Sequence, residues 1–145
     1  MIMKKYFALI ATALFTSFFL SGFVPVEGLA AAQPDHVVVY YFHTNFRCVN
    51  CHNMEIWTKE VVEADFKPQA ESGAVILKII NTETKGNEHY MADYKLYTKS
   101  VVLALVKDDK EVKFTNLSKV WDFLGNSDKF KAYVKGEISK YLSEL

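Results

Sequence analysis

Two cysteines separated by two residues follow closely on a long β-type run, and this arrangement constrains the fold more than any other feature. The run is Val37-Val38-Val39-Tyr40-Tyr41-Phe42, and the cysteines are Cys48 and Cys51, the only two among 145 residues. Apolar residues at helical spacing come next, so the cysteines stand where a strand gives way to a helix. Unpaired N–H groups at a helix start stabilise a thiolate. The pattern therefore predicts a disulfide that is readily made and broken, and the loop it closes is too short for a structural role.

Apolar runs and helical patterns alternate along the rest of the chain. Further strands are predicted over 75–80, 101–106 and 111–115, and a tight turn at Asp108-Asp109-Lys110 joins the last two. Helices are predicted from the cysteines to an end marked by Pro68 and Gly73, in a shorter segment ending near Tyr94, over 117–124, and from Ser127 onward. Strands separated by helices are expected to pair in parallel, and the hairpin adds an antiparallel edge. The sequence therefore predicts an α/β fold with a mixed central sheet of about four strands flanked by helices.

The first 32 residues have the pattern of a secretory signal. Lys4 and Lys5 precede an apolar stretch over 7–20, and small residues follow over 29–32. We predict a signal peptide over 1–32, with cleavage after Ala30 or Ala32, and a single domain over 33–145. An uncleaved N-terminal anchor is the alternative. The expected location is the periplasm or cell envelope, with no membrane contact beyond this segment.

The charge balance argues against polyanionic partners. Of 17 positive and 17 negative residues, the predicted signal peptide contains Lys4, Lys5 and Glu27, which leaves fifteen and sixteen in residues 33–145. A surface of mixed charge gives no electrostatic reason to expect nucleic acid or anionic lipid as a ligand. The sequence also contains no glycine-rich phosphate loop or dinucleotide motif, so no cofactor is expected. We expect a monomer.

The order of predicted elements, with Cys-x-x-Cys after the first long strand, resembles the thioredoxin fold. The segments 40–43, 47–51 and 97–103 resemble a family of exported thioredoxin-like proteins labelled "nitrophenyl compound nitroreductase subunit". This resemblance implies a thioredoxin-like domain in which Cys48 is the attacking nucleophile and Cys51 resolves the mixed disulfide. It also implies a protein disulfide or dithiol as the partner, and service to a larger reductase system.

Four further residues are expected to support the cysteines. Arg47 and His52 are cations near Cys48 and are expected to lower its pKa below the roughly 8.5 of a free thiol. The strand before the motif has no buried acid, so His43 is expected either to transfer protons or to make a structural hydrogen bond. Arg47 also stands where thioredoxins usually have tryptophan. Ser100 occupies the position of their cis-proline, and a trans Lys99–Ser100 bond is expected there.

Three other functions remain open at this stage. Cys48-Val49-Asn50-Cys51-His52 matches the c-type haem attachment sequence, with His52 as the axial ligand, although a βαβ context is atypical of small cytochromes. The two thiolates with His43 or His52 could also bind a soft metal or metalloid such as copper, zinc or arsenic. The third alternative is a non-catalytic subunit whose disulfide tunes docking.

Overall fold

The computed structural model describes residues 33–145, and these residues lie in one compact unit. The predicted signal peptide, residues 1–32, lies outside the described residues. Within residues 33–145, no helix is long and apolar enough to cross a membrane.

Four strands and four α-helices form the described part of the chain. In chain order they are β1 (His36–His43), α1 (Val49–Glu60), α2 (Lys67–Glu71), β2 (Val75–Asn81), α3 (His89–Asp93), β3 (Ser100–Lys107), β4 (Lys110–Asn116) and α4 (Ser127–Leu142). A π-helical turn (Val61–Asp65) follows α1, and a 3-10 helix (Ser118–Phe123) precedes α4. The four predicted strands are therefore confirmed.

Helical structure ends before Gly73 as predicted, but the segment from the cysteines is interrupted before Pro68. The helical segment after the cysteines ends with the π-helical turn, and Pro68 lies in the first turn of α2. Proline is tolerated there because the first-turn N–H groups have no partner within the helix. The segment over 117–124 forms a 3-10 helix rather than an α-helix.

The strands form one mixed sheet in the order β2-β1-β3-β4. β1 pairs in parallel with β2, from Val37↔Val75 to His43↔Asn81, whereas β3 is antiparallel to β1. The expected parallel pairing of β3 is therefore wrong. The connecting helix α3 has five residues and spans about 7.5 Å. β2, with seven residues, is about 23 Å long, and β3 starts at the end of the sheet where β2 ends.

The hairpin between β3 and β4 was predicted correctly. Asp108 and Asp109 have φ values of 49° and 59°, as expected for the two central residues of a type I′ turn. The twist of this turn type matches the twist of the flanking strands, so the two-residue loop closes the antiparallel pair without splaying it.

Both faces of the sheet are covered, which explains why β1 is an unbroken apolar run. Val37, Val39 and Tyr41 belong to a large core with α1 and α4, whose apolar stripe was also predicted. The even-numbered residues from Val38 to Phe42 belong to a smaller, aromatic cluster that includes Tyr94. Successive side chains of a strand point to opposite faces, so a strand buried on both sides needs apolar residues throughout.

Candidate active site

The cysteines lie at one edge of the sheet, where β1 and β2 end and β3 begins. His43 pairs with Asn81 and Phe42 pairs with Ser100, so the loops that leave β1 and β2 and the loop that enters β3 meet there. This edge brings together segments that are 38 to 58 residues apart in sequence. A site at the carboxyl end of a central parallel strand is common in open α/β sheets.

Cys48 and Cys51 are joined by a disulfide, with their Cα atoms 5.0 Å apart. Cys48 is the N-cap residue of α1, and its Sγ accepts a hydrogen bond from the backbone N–H of Cys51 at 3.2 Å. Cys48 is half-buried, whereas Cys51 is 1% exposed. An approaching thiol can therefore reach the first sulfur much more easily than the second, and a thiolate formed at Cys48 would keep an N–H donor from the helix.

Tyr41 supports the first turn of α1 from below. Its side chain is buried, and its hydroxyl donates a hydrogen bond of 2.6 Å to the carbonyl oxygen of Cys51. Burial raises the pKa of Tyr41, and the neighbouring Arg47 guanidinium offsets part of that increase. The phenol therefore stays protonated at neutral pH and acts as a donor. The sequence analysis missed this residue because Tyr41 is one member of an apolar run, and nothing in that run distinguishes its hydroxyl.

Arg47 is committed to partners other than the disulfide. Its guanidinium forms an ion pair with Glu55, and the same carboxylate accepts a hydrogen bond from Lys59 at 2.7 Å. The guanidinium carbon also lies 6.0 Å from the centroid of the Tyr41 ring. Arg47 was predicted to act on Cys48 as a nearby cation, but in this disulfide state its guanidinium is paired with Glu55.

The two histidines have different surroundings. His43 is half-buried, its Nδ1 lies 3.0 Å from the Thr44 carbonyl oxygen, and its ring lies 5.9 Å from that of Tyr41. These contacts fit the structural hydrogen bond, one of the two roles expected for it. His52 is exposed on α1, and its backbone N–H donates to the Cys48 carbonyl oxygen at 3.1 Å.

Ser100 is buried, and its hydroxyl donates to the Thr98 carbonyl oxygen at 3.0 Å. Its bond to Lys99 is trans, like every other peptide bond in residues 33–145. Because Ser100 pairs with Phe42, its side chain lies on the aromatic face of the sheet and not on the face that carries α1. The hydroxyl is thus used within its own loop.

Exposed apolar side chains surround the disulfide. Phe46 is 74% exposed and Val49 is 75% exposed, on either side of Cys48, and Tyr97 in the loop before β3 is 94% exposed. The two loops touch, since the Lys99 ammonium lies 5.7 Å from the centroid of the Phe46 ring. Trp121 joins them through a hydrogen bond of 3.2 Å from Nε1 to the Lys99 carbonyl oxygen. Trp121, in the helix predicted over 117–124, is partly exposed.

A small pocket of about 110 Å³ opens at the same edge. Its lining combines the end of β1, the loop before β3 and one side chain of α3, including His43, Thr44, Met91, Tyr97 and Thr98. The pocket has both apolar walls and hydroxyl groups.

The described residues form a helix-flanked mixed sheet whose central strand leads into a Cys-x-x-Cys at the start of a helix. This is a thioredoxin-like fold. No protein-family model matches the chain, and no curated protein matches it.

Matches among solved structures are remote. A malarial protein has a TM-score of 0.43 and 16% identity, and the alignment covers 70% of this chain and 96% of that protein. The thioredoxin of Fasciola hepatica has a TM-score of 0.39 and 20% identity, over 63% of this chain and 81% of its own. Thioredoxin f2 of Chlamydomonas reinhardtii has a TM-score of 0.35 and 18% identity, over 67% of this chain and 81% of its own.

The geometry of this thioredoxin-like site weighs against the two ligand-binding alternatives. Covalent haem attachment needs both sulfurs accessible, but Cys51 is buried beneath the first turn of α1. Among residues 33–145, no three histidine, cysteine or acidic side chains are grouped closely enough to hold a metal ion. His52 is exposed, and His43 stacks against Tyr41.

Proposed function

We propose that this protein is a thiol-disulfide oxidoreductase that cycles Cys48 and Cys51 between the dithiol and the disulfide. The observation that supports this most is the asymmetry of the pair: a half-buried first sulfur at a helix N-cap and a fully buried second sulfur. A disulfide that only stabilised the fold would need neither an accessible sulfur nor an N–H donor aimed at it.

The reaction is a two-step exchange with a partner protein. In the direction of partner reduction, the Cys48 thiolate attacks one sulfur of the partner disulfide, forms a mixed disulfide and releases a partner thiolate. Cys51 then loses its proton and attacks the Cys48 sulfur, which restores the intramolecular disulfide and releases the second partner sulfur. The partner gains two electrons and the protein loses two. The reverse sequence oxidises a dithiol partner.

We further infer that the protein works outside the cytoplasm, in the periplasm or cell envelope. The predicted signal peptide over 1–32 supports this. The family resemblance of the segments 40–43, 47–51 and 97–103 supports the proposal that it passes electrons to a larger reductase system. The exposed apolar side chains around Cys48 would form the contact surface for that partner.

Trapping of the mixed disulfide tests the proposal. Cys51→Ser blocks the second step, so we expect a covalent complex with a cell-envelope protein. Dithiothreitol should separate the two proteins by reducing the mixed disulfide. Cys48→Ser is the matched control, because this variant also retains one cysteine, namely the buried Cys51, which a partner cannot reach. If both variants capture the same amount of protein, or if iodoacetamide does not label Cys48 in the reduced, folded wild type near neutral pH, the proposed function is wrong.

A further inference from the structure

A series of side-chain contacts connects the disulfide to the protein surface. The first contact is at the surface, where the Lys59 ammonium lies 2.7 Å from the carboxylate of Glu55. Glu55 pairs with the guanidinium of Arg47, and Arg47 lies over the ring of Tyr41. The Tyr41 hydroxyl donates to the Cys51 carbonyl oxygen at 2.6 Å. Each link is an observed contact, so a charge change at Glu55 has a direct structural route to the cysteines.

Arg47 has capacity for one more acceptor. Its side chain is 22% exposed, and its Nε is buried with no hydrogen-bond partner in residues 33–145. Nε is the guanidinium nitrogen nearest the backbone, and Arg47 is the residue directly before Cys48. An unpaired buried donor is costly. Reduction of the disulfide would place a negative charge on Cys48, the next residue in the chain.

Glu55 and a Cys48 thiolate would therefore compete for one cation. Glu55 is seven residues after Cys48, two turns along α1 on the same side of the helix, at a rise of about 10 Å. The carboxylate already holds the guanidinium in the disulfide state. As long as it does so, Arg47 contributes little positive potential at the Cys48 sulfur.

We propose that Glu55 is a positioning residue that sets the reduction potential of the Cys48–Cys51 pair by holding Arg47 away from the Cys48 thiolate. This inference rests on the proposed function and adds a direction to it. Stabilising the thiolate stabilises the reduced form and makes a dithiol pair more oxidising, as in strongly oxidising thiol-disulfide proteins. By neutralising Arg47, Glu55 withholds that stabilisation and shifts the pair towards the reducing side.

The test is a redox equilibrium with glutathione in the mature chain. Two glutathione thiols supply two electrons to the Cys48–Cys51 disulfide and become glutathione disulfide, so no partner protein is needed. With Glu55→Gln, Coulomb's law for one charge at about 10 Å and a dielectric constant between about 20 and 80 gives a roughly two- to sixteenfold larger equilibrium constant for reduction. A tenfold change corresponds to about 30 mV. The pH dependence of iodoacetamide labelling should show a lower Cys48 pKa by the same factor.

Glu60→Gln is the matched control. It removes the same charge from the same helix, and Glu60 also pairs with a lysine, Lys131, at 2.5 Å. Glu60 lies twelve residues after Cys48, about 18 Å along the helix axis, and its side chain is 48% exposed, whereas that of Glu55 is 15% exposed. Salt therefore screens the charge of Glu60 far more than that of Glu55. We expect its equilibrium constant to equal that of the wild type.

A double variant shows whether Glu55 acts through Arg47. In the Arg47→Gln background, Glu55→Gln should shift the equilibrium less than it does in the wild type, because no guanidinium is left to release. Equal potentials for the wild type and Glu55→Gln would overturn the inference, and so would equal shifts in the two backgrounds. Failure of the proposed function is a separate result: it would appear as absent partner trapping with Cys51→Ser, whatever the glutathione equilibrium shows.

Discussion

Replacing Tyr41 by phenylalanine should destabilise the fold through a single hydroxyl. The ring is fully buried, and the hydroxyl donates to the Cys51 carbonyl oxygen at 2.6 Å and lies near the Arg47 guanidinium. A buried hydrogen bond contributes about 0.5–1.5 kcal/mol net, and one that faces a charged group contributes about 1.5–3 kcal/mol. Because the carbonyl can still accept its bond within α1, we expect the free energy of unfolding to fall by about 1.5 kcal/mol.

Thermal and urea unfolding of the oxidised protein would measure this loss. With an unfolding entropy of about 2.1 cal/mol/K per residue, residues 33–145 would show a melting temperature lower by about 6 °C. Tyr133→Phe is the matched control, because Tyr133 is half-buried and its hydroxyl makes no hydrogen bond in the described part of the chain. If Tyr41→Phe unfolds with the same free energy as Tyr133→Phe, the contact to Cys51 does not stabilise the fold and this reasoning is refuted.

Two further predictions concern the backbone and the buried phenols. Lys95 follows α3 with a φ of 52°, and the Leu96 N–H closes the helix end by donating a hydrogen bond to the Met91 carbonyl oxygen. Because glycine adopts positive φ without strain, Lys95→Gly should raise the free energy of unfolding by about 0.5–1 kcal/mol, as measured by urea denaturation. A lower free energy of unfolding would contradict this prediction. Burial raises the pKa of Tyr40, Tyr41 and Tyr94, so their contribution to stability is complete below the unfolded value of about 10 and is lost as the pH rises through their folded pKa values. Urea unfolding at pH 9 to 11.5 should show a falling free energy, and a constant value would be inconsistent with buried, protonated phenols.

Much of the fold could be predicted because buried strands and helix faces have characteristic patterns of apolar residues in the sequence. β1 is apolar at every position from Val37 to Phe42, as a strand covered on both faces must be. The α4 stripe, with Phe130, Val134 and Ile138 fully buried, repeats at helical spacing. The Asp108-Asp109 turn was evident because few residue types tolerate positive φ.

The environment of the site was less predictable, since it depends on contacts between distant segments. Arg47 was expected to act on Cys48, its neighbour in sequence, but its partner is Glu55 two helical turns later. Tyr41 is indistinguishable in sequence from other aromatic core residues until its hydroxyl is found beneath Cys51. Trp121 has helical spacing but is partly exposed and bonded to the loop before β3.

The amino-acid sequence by itself determined the four strands, the hairpin and the placement of both cysteines at the start of a helix, because each follows from local periodicity and turn chemistry. Tertiary structure alone decided the antiparallel direction of β3, the burial of Cys51 relative to Cys48, and the pairing that neutralises Arg47. The physical reason is that strand direction depends on the path that a connection takes in space, and charge balance depends on which side chains meet in space. Neither is recorded in the order of neighbouring residues.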